Sequence, residues 1–343
     1  GALREKLGKG APLGRPIGES WEVSAWGDSQ TVVLGGEYAG ATLGELYLRD
    51  PAALVGVAGK KSFPLLFKFI DAQENLSIQV HPNRDQALAH GWGERGKTEC
   101  WYVVDAEAGA RIALGFNRDD VTPEEAAAAV REGRFESLLK FVPARRGDTF
   151  FIPAGTVHAI LKGVLIYEVQ EESNTTLRLY DWNRTDSDGR ARGLHIDDAL
   201  NIIKFRENRP LKPAPVLIEK NGVFAYEALC DNSKFTLSRY RFFEQGTAAL
   251  GIAEGFRVVS VTAGSAALCT EGACVPLALG QTVLVPSLLD GIRIEGVAGA
   301  DVLVTTKKIT GADFGADGTG TAFKTGGWVN YEKTDIFNNH PHV

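Results

Sequence analysis

The chain has 343 residues, of which 44% are hydrophobic and 23% charged, with a net charge of −6 and a pI near 5.6. This is the composition of a globular protein of roughly two domains, and the lack of a basic stripe excludes a nucleic-acid partner. No apolar run approaches the roughly 20 residues of a membrane span, and the first ten residues, GALREKLGKG, contain no apolar signal-peptide core.

The four cysteines, Cys100, Cys230, Cys269 and Cys274, show no C-x-x-C pair. In a chain of this length that pattern predicts buried, reduced thiols and a cytoplasmic location.

In chain order, short β-type runs dominate: SFPLLFKFI, LSIQVHP, CWYVVD, RIALGF, TFFIPAG, VLIYEVQ and TLRLYDW. Short strands at even spacing, with 39 glycines in the chain, point to a sandwich or barrel. In NLSIQVHP, Leu76, Ile78 and Val80 alternate with Ser77, Gln79 and His81. Gln79 and His81 therefore share the face opposite the apolar set, and Pro82 ends the strand. Two such donors are either half of a metal site or two polar groups on a wet face.

In GKTECWYVVDA the same alternation places Lys97, Glu99, Trp101 and Val103 on one face. A carboxylate opening so apolar a strand is costly to bury unless it is paired or metal-bound.

VTPEEAAAAVREGRFESLLKF, residues 121–141, opens with Thr122 as cap and Pro123 in the first turn, followed by two glutamates, which is a helix start. Gly133 divides this stretch into two short helices. GDTFFIPAGTVH follows: a turn at Gly147-Asp148, a buried strand, a bend at Pro153-Ala154-Gly155, and His158 entering the next strand. Its spacing, G-x5-P-x-G-x2-H, is that of the second motif of the cupin barrels. Ile166, Glu168 and Gln170 share one face of the next run. LHIDDALNIIKF, residues 194–205, carries apolar residues at helical spacing and should cover a sheet or barrel end.

Pro210, Pro213 and Pro215 mark a stiff linker. The domains expected are a metal-binding barrel over 1–209, a second barrel without a ligand set over 210–309, and an irregular glycine-rich tail over 310–343. The pair His340 and His342 in that tail reads as a chain end rather than a metal site. A weak repeat supports two barrels of similar construction. GDTFFIPAGTVHAI from Gly147 matches GQTVLVPSLLDGIRI from Gly280 at constant offset, with Pro153 opposite Pro286 but His158 opposite Gly291. The second barrel is expected to serve packing or oligomer contacts.

Gln79, His81, Glu99 and His158 together supply two imidazoles, a carboxylate and an amide on separate strands of one predicted barrel. This mixed set suits Zn²⁺, with Fe²⁺, Mn²⁺ and Ni²⁺ as alternatives.

PLLFKFIDAQENLSIQVHPNRDQA, GKTECWYVVDA, GDTFFIPAGTVHAI, NTTLRLYDWNR and IGESWEVS occur in the order found in the type I mannose-6-phosphate isomerases of the short bacterial form, and the sequence resembles that family. The resemblance runs from about Leu3 to Phe205 and is weaker beyond Val216. The start is shorter than the family pattern, which carries another strand before LREKLG.

The resemblance implies a mostly β fold of two cupin-type, jelly-roll barrels with a small helical insertion in the N-terminal half. It also implies a metal, usually zinc, at Gln79, His81, Glu99 and His158. Glu168 and Arg178 match catalytic positions of the family, and Lys97 matches a lysine that faces substrate. The implied reaction interconverts mannose 6-phosphate and fructose 6-phosphate through a cis-enediol.

In that chemistry Arg178 stabilises the enediolate, Glu168 is the preferred base, and Lys97 donates a proton or orients. Lys97, Arg184 and Lys162 are the candidates for holding the phosphate. The alternative for Arg178 is an ion pair with Glu171 or Glu172. Three other functions compete: a cupin non-haem iron oxygenase, a non-catalytic sugar-phosphate-binding cupin, and a structural cupin.

Overall fold

The computed structural model describes residues 1–10, 17–56, 62–185, 189–207, 210–251, 255–307 and 337–338. The expected tail 310–343, with His340 and His342, lies outside the described residues apart from Phe337–Asn338. Contacts divide the chain into two compact units. One is Phe69–Pro213 joined by Gly1. The other takes Ala2–Lys68 together with the chain from Ala214 onward.

The first unit holds the second half of β1 (Leu65–Ala72), from Phe69 on, and eight further strands: β2 (Ile78–Val80), β3 (Glu99–Ala106), β4 (Arg111–Phe116), β5 (Leu139–Pro143), β6 (Thr149–Ile152), β7 (His158–Ile160), β8 (Val164–Glu171) and β9 (Leu177–Tyr180). One sheet runs β1-β8-β3-β6 and another runs β9-β2-β7-β4-β5. Trp101, Val103, Phe150, Ile152 and Ile166 of the first sheet pack with Ile112, Leu114 and Ile160 of the second. The inner faces therefore meet in one apolar layer, as period-two alternation requires.

The outer face of the second sheet forms a different core. Ile78, Val80, Ala159, Leu177 and Leu179 pack with Ala126, Ala129, Phe135, Leu138, Ala199 and Ile202. The helices that supply this cover are α1 (Pro123–Arg131), a 3-10 turn (Phe135–Leu138) and α2 (Ile196–Ile202). Thr122 caps α1 by accepting from the Glu125 N–H at 3.2 Å, and Pro123 sits where a missing N–H costs nothing. With Ile78 and Val80 committed to the helices, Gln79 between them must point inward.

Gly155 turns the chain into β7 at φ +91°, a conformation L side chains rarely adopt. A Cβ there would also meet Lys204 Cγ at 2.8 Å. This bend places the Gly155 N–H on the His81 carbonyl at 2.8 Å, which joins two of the segments that carry the site.

The second unit contains a six-stranded and a four-stranded sheet between Val216 and Lys307, with Val259, Val261, Val283, Ile294 and Val302 in its core. Strand Thr282–Val285 is the repeat's counterpart of β6. Gly291, opposite His158 in the repeat, takes a turn conformation at φ +68° instead of entering a strand.

The cysteines depart from the expected four buried, reduced thiols. Cys100 and Cys230 are buried thiols as expected, but Cys269 and Cys274 form a disulfide, and Cys274 is exposed. The two residues end adjacent strands of a hairpin and face each other in register, Cα–Cα 4.1 Å apart. C-x4-C is close-spaced once the four intervening residues form the loop. The cysteine pattern therefore no longer argues for a reducing compartment. Among the described residues no helix is long and apolar enough to cross a membrane.

Candidate metal centre

His81, Glu99 and His158 converge in the first unit, and all three are about 1% exposed. Glu99 opens β3, His158 opens β7, and His81 follows β2. His81 Nε2 lies 3.2 Å from Glu99 Oε1, and His158 Nε2 lies 3.8 Å from Glu99 Oε2. His81 Nδ1 donates to the Thr175 carbonyl at 2.9 Å, and His158 Nδ1 donates to the Thr156 carbonyl at 2.9 Å. A carbonyl can only accept, so each Nδ1 carries the proton and each Nε2 lone pair is left for the centre.

Gln79 joins them. It pairs in register with His158 on one side and Arg178 on the other, so the three residues form a row across one face of the sheet. Its Nε2 stands 3.5 Å from His81 Nε2 and 3.3 Å from His158 Nε2, while its Oε1 accepts from Ser77 Oγ at 3.0 Å. The amide thus presents nitrogen to the imidazoles. Ligation would need the carboxamide turned over, with Ser77 giving up its bond.

The donor set fits a divalent cation. Neither oxygen of the buried Glu99 carboxylate receives a well-aligned hydrogen bond, although Lys97 Nζ lies 3.1 Å from Oε1. The Lys97 ammonium stands beside Oε1 only, so Oε2 of this buried carboxylate and the two imidazole lone pairs next to it are left for a further cation. The separations of 3.2–3.8 Å also bracket the edge of about 3.3 Å expected between donors on one tetrahedral zinc.

Burial, reinforced by the Lys97 charge and only partly opposed by Glu99, lowers the His81 pKa to about 3. Burial also lowers that of His158, against the pull of Glu99. Burial alone would raise the Glu99 carboxyl, but the Lys97 ammonium outweighs it and holds it well below the usual range. All three groups therefore stand ready for metal without a proton to displace at neutral pH.

These shifts set an acid sensitivity for the metal-free protein. His81 takes a proton near pH 6.5 when unfolded but only near 3 when folded. Between these values the unfolded state binds more protons, so stability falls as pH falls, by about 1.4 kcal/mol per pH unit from this group alone. Urea midpoints of chelator-treated protein should drop between pH 6.5 and 4.5. A flat profile would contradict a buried, neutral His81.

The other expected residues divide. Lys97 is buried beside Glu99. Glu168 is buried opposite Trp101 in register, and the Trp101 indole N–H donates to its Oε1 at 2.8 Å. The same indole meets the His158 ring edge-on, with centroids 5.3 Å apart. Glu168 is thus one indole away from an imidazole of the cluster, a link that nothing in the spacing announced.

Arg178 does not make the alternative ion pair. Glu171 accepts from the Thr98 N–H, and Glu172 faces Arg95. Arg178 Nε is buried without a hydrogen bond. Burial, then the like charge of Arg192, lowers the pKa of its guanidinium against the pull of Asp181. Arg184 is held by a close ion pair to Asp181. Lys162 is exposed in the turn beyond β7, about 13 Å along the chain from His158 at the rise of a strand. The Lys162 N–H donates to Asn75 Oδ1 at 3.0 Å.

The curated mannose-6-phosphate isomerase ManA of Bacillus subtilis is 37% identical over 287 residues, covering 82% of this chain and 87% of that protein. The chain belongs to the type I phosphomannose isomerase family. The family's catalytic-domain profile matches residues 1–113. The mannose-6-phosphate isomerase of Streptococcus mutans is 35% identical over 294 residues, covering 86% of this chain and 90% of that protein. The crystal structure of the B. subtilis mannose 6-phosphate isomerase superposes with a TM-score of 0.79 at 31% identity, covering 89% of this chain and 94% of that one. The mostly β, cupin-type fold expected from the sequence is therefore that of a phosphomannose isomerase.

Proposed function

We propose that the chain is a zinc-dependent aldose–ketose isomerase that interconverts mannose 6-phosphate and fructose 6-phosphate. The observation that carries this reading is the buried His81–Glu99–His158 cluster with Arg178 in the adjacent row position. Gln79, His81, Glu99 and His158 would hold the cation, and bound zinc would supply Lewis acidity at the sugar oxygens. We assign the chemistry to the Phe69–Pro213 unit. We place it in the cytoplasm, because the substrate is a dianion that does not cross a bilayer unaided.

The remaining roles belong to protein groups. Isomerisation moves a proton between C1 and C2 of the open-chain sugar, through a cis-enediol on which negative charge develops at O1 and O2. Glu168 takes the proton from one carbon and returns it to the other, its carboxylate held by the Trp101 indole. Arg178, whose Nε has no protein partner, stabilises the developing oxyanion as a permanent cation. Lys97 orients the Glu99 carboxylate and is the proton donor nearest to it.

A coupled assay of fructose 6-phosphate formation, run in deuterated water, tests this reading. Wild-type protein should turn over mannose 6-phosphate, incorporate solvent deuterium at the carbon that receives the proton, lose activity to a chelator and regain it with zinc. Oxygen uptake with iron instead, or ligand binding without exchange, would replace it by an oxygenase or a binding protein.

A further inference from the structure

Gln170 sits in β8 directly opposite Glu99 and is fully buried. Its Nε2 donates to two carbonyls of the segment that leaves β8, Glu171 O at 3.1 Å and Ser173 O at 2.7 Å. Its Oε1 has no hydrogen-bond donor. Because both carbonyls can only accept, the amide orientation is fixed by the network. An apolar side chain of similar volume would spare the stranded Oε1 but leave both carbonyls without this donor, so the work of the amide here is to hold the segment that carries them.

The segment it holds leads to the centre. Ser173 Oγ accepts from the Thr175 N–H at 3.3 Å, and Thr175 Oγ1 donates to the Trp92 carbonyl at 2.8 Å. The Thr175 carbonyl, aimed by these contacts, accepts from His81 Nδ1 at 2.9 Å. At the other end of the segment, Glu171 and Thr98 bond reciprocally: Glu171 N–H to Thr98 O, and Thr98 N–H to Glu171 Oε2, each at 3.1 Å. Thr98 immediately precedes Glu99.

We propose that Gln170 is a positioning residue for the metal centre. It fixes the Glu171–Thr175 segment, which holds the His81 imidazole in the tautomer and orientation that present Nε2. The proposal rests on the metal-binding reading above. Outer hydrogen bonds of this kind typically change metal affinity by about 10–100-fold.

The test uses full-length wild type, Gln170→Met and Ser173→Ala. Gln170→Met keeps the volume but removes both donors, and Ser173→Ala loosens Thr175 without filling or emptying the core. Zinc affinity is measured by competition with a chromophoric chelator, and the imidazole Nδ1–H resonances of metal-free protein are followed by NMR. Gln170→Met should weaken zinc about tenfold or more, and should shift or broaden the His81 resonance while that of His158, bonded to Thr156, stays in place. Ser173→Ala should act in the same direction with a smaller effect.

Unchanged zinc affinity and an unmoved His81 resonance in a folded Gln170→Met would overturn the proposal, even if its thermal stability fell, since that is what a purely structural amide would do. If Gln170→Met does not fold, the same two readouts on Ser173→Ala decide the matter. Failure of wild type to bind zinc at all would instead overturn the metal reading itself.

Discussion

Alanine at His81 or His158 should strip the protein of zinc and reduce turnover by about a thousandfold, the several kcal/mol that a Lewis acid contributes to such a transition state. Each substitution removes one of the four proposed ligands, and the survivors cannot replace it. The other imidazole is already aimed by its own backbone carbonyl, and Glu99 already points both oxygens into the cluster. Metal content after dialysis is the direct readout. His90→Ala is the matched control, because that exposed ring stacks on Trp92, outside the cluster. Near-stoichiometric zinc in both alanine variants would show that the cluster is not the binding site.

Glu99→Gln adds a second reading on metal-free protein. It leaves the buried Lys97 ammonium without its carboxylate, a loss of about 3–5 kcal/mol for a broken buried pair. Urea unfolding of chelator-treated protein should therefore show the variant well below wild type.

The parts of this centre that were legible in the sequence are those that the backbone pattern dictates. Ile78 and Val80 flank Gln79, so once one face of β2 is committed to the helices, Gln79 has only the inner face to occupy. The Gly147 turn, the Gly155 bend and His158 sit at a spacing that only a tight strand–turn–strand satisfies, and Gly155 does take positive φ. The start of helix α1 was likewise readable from Thr122 and Pro123.

What escaped the sequence reading is carried by atoms that every residue has. The carbonyls of Thr156 and Thr175 select the histidine tautomers, and a carbonyl leaves no signature in a sequence. The Trp101–Glu168 bond depends on register across two strands 67 positions apart. A linker of prolines could mark a change near 210–215, but it could not show that Ala2–Lys68 groups with the chain beyond it.

Arg178→Ala should lower kcat by about 100–1,000-fold while zinc stays bound, the usual loss when one preorganised donor to a developing oxyanion is removed. The guanidinium shares a row with Gln79 and His158, but the hydrogen bonds that hold the two imidazoles come from Gln79, Thr175 and Thr156, so the metal has no reason to leave. Its buried Nε without a partner is the feature that separates a waiting group from a structural one. Arg178→Lys should recover only part of the loss, because a point charge cannot reproduce the planar fork. The division between constants decides the role. A fall in kcat at constant KM places Arg178 on the enediolate, whereas a rise in KM with kcat intact would make it an anchor for the phosphate. Glu168→Gln completes the argument, since the amide can still accept from the Trp101 indole but cannot take a proton. It should abolish solvent exchange at C2 in protein that still binds zinc and sugar phosphate. Exchange at the wild-type rate would move the base to another residue and leave Arg178 stabilising charge that a different group creates.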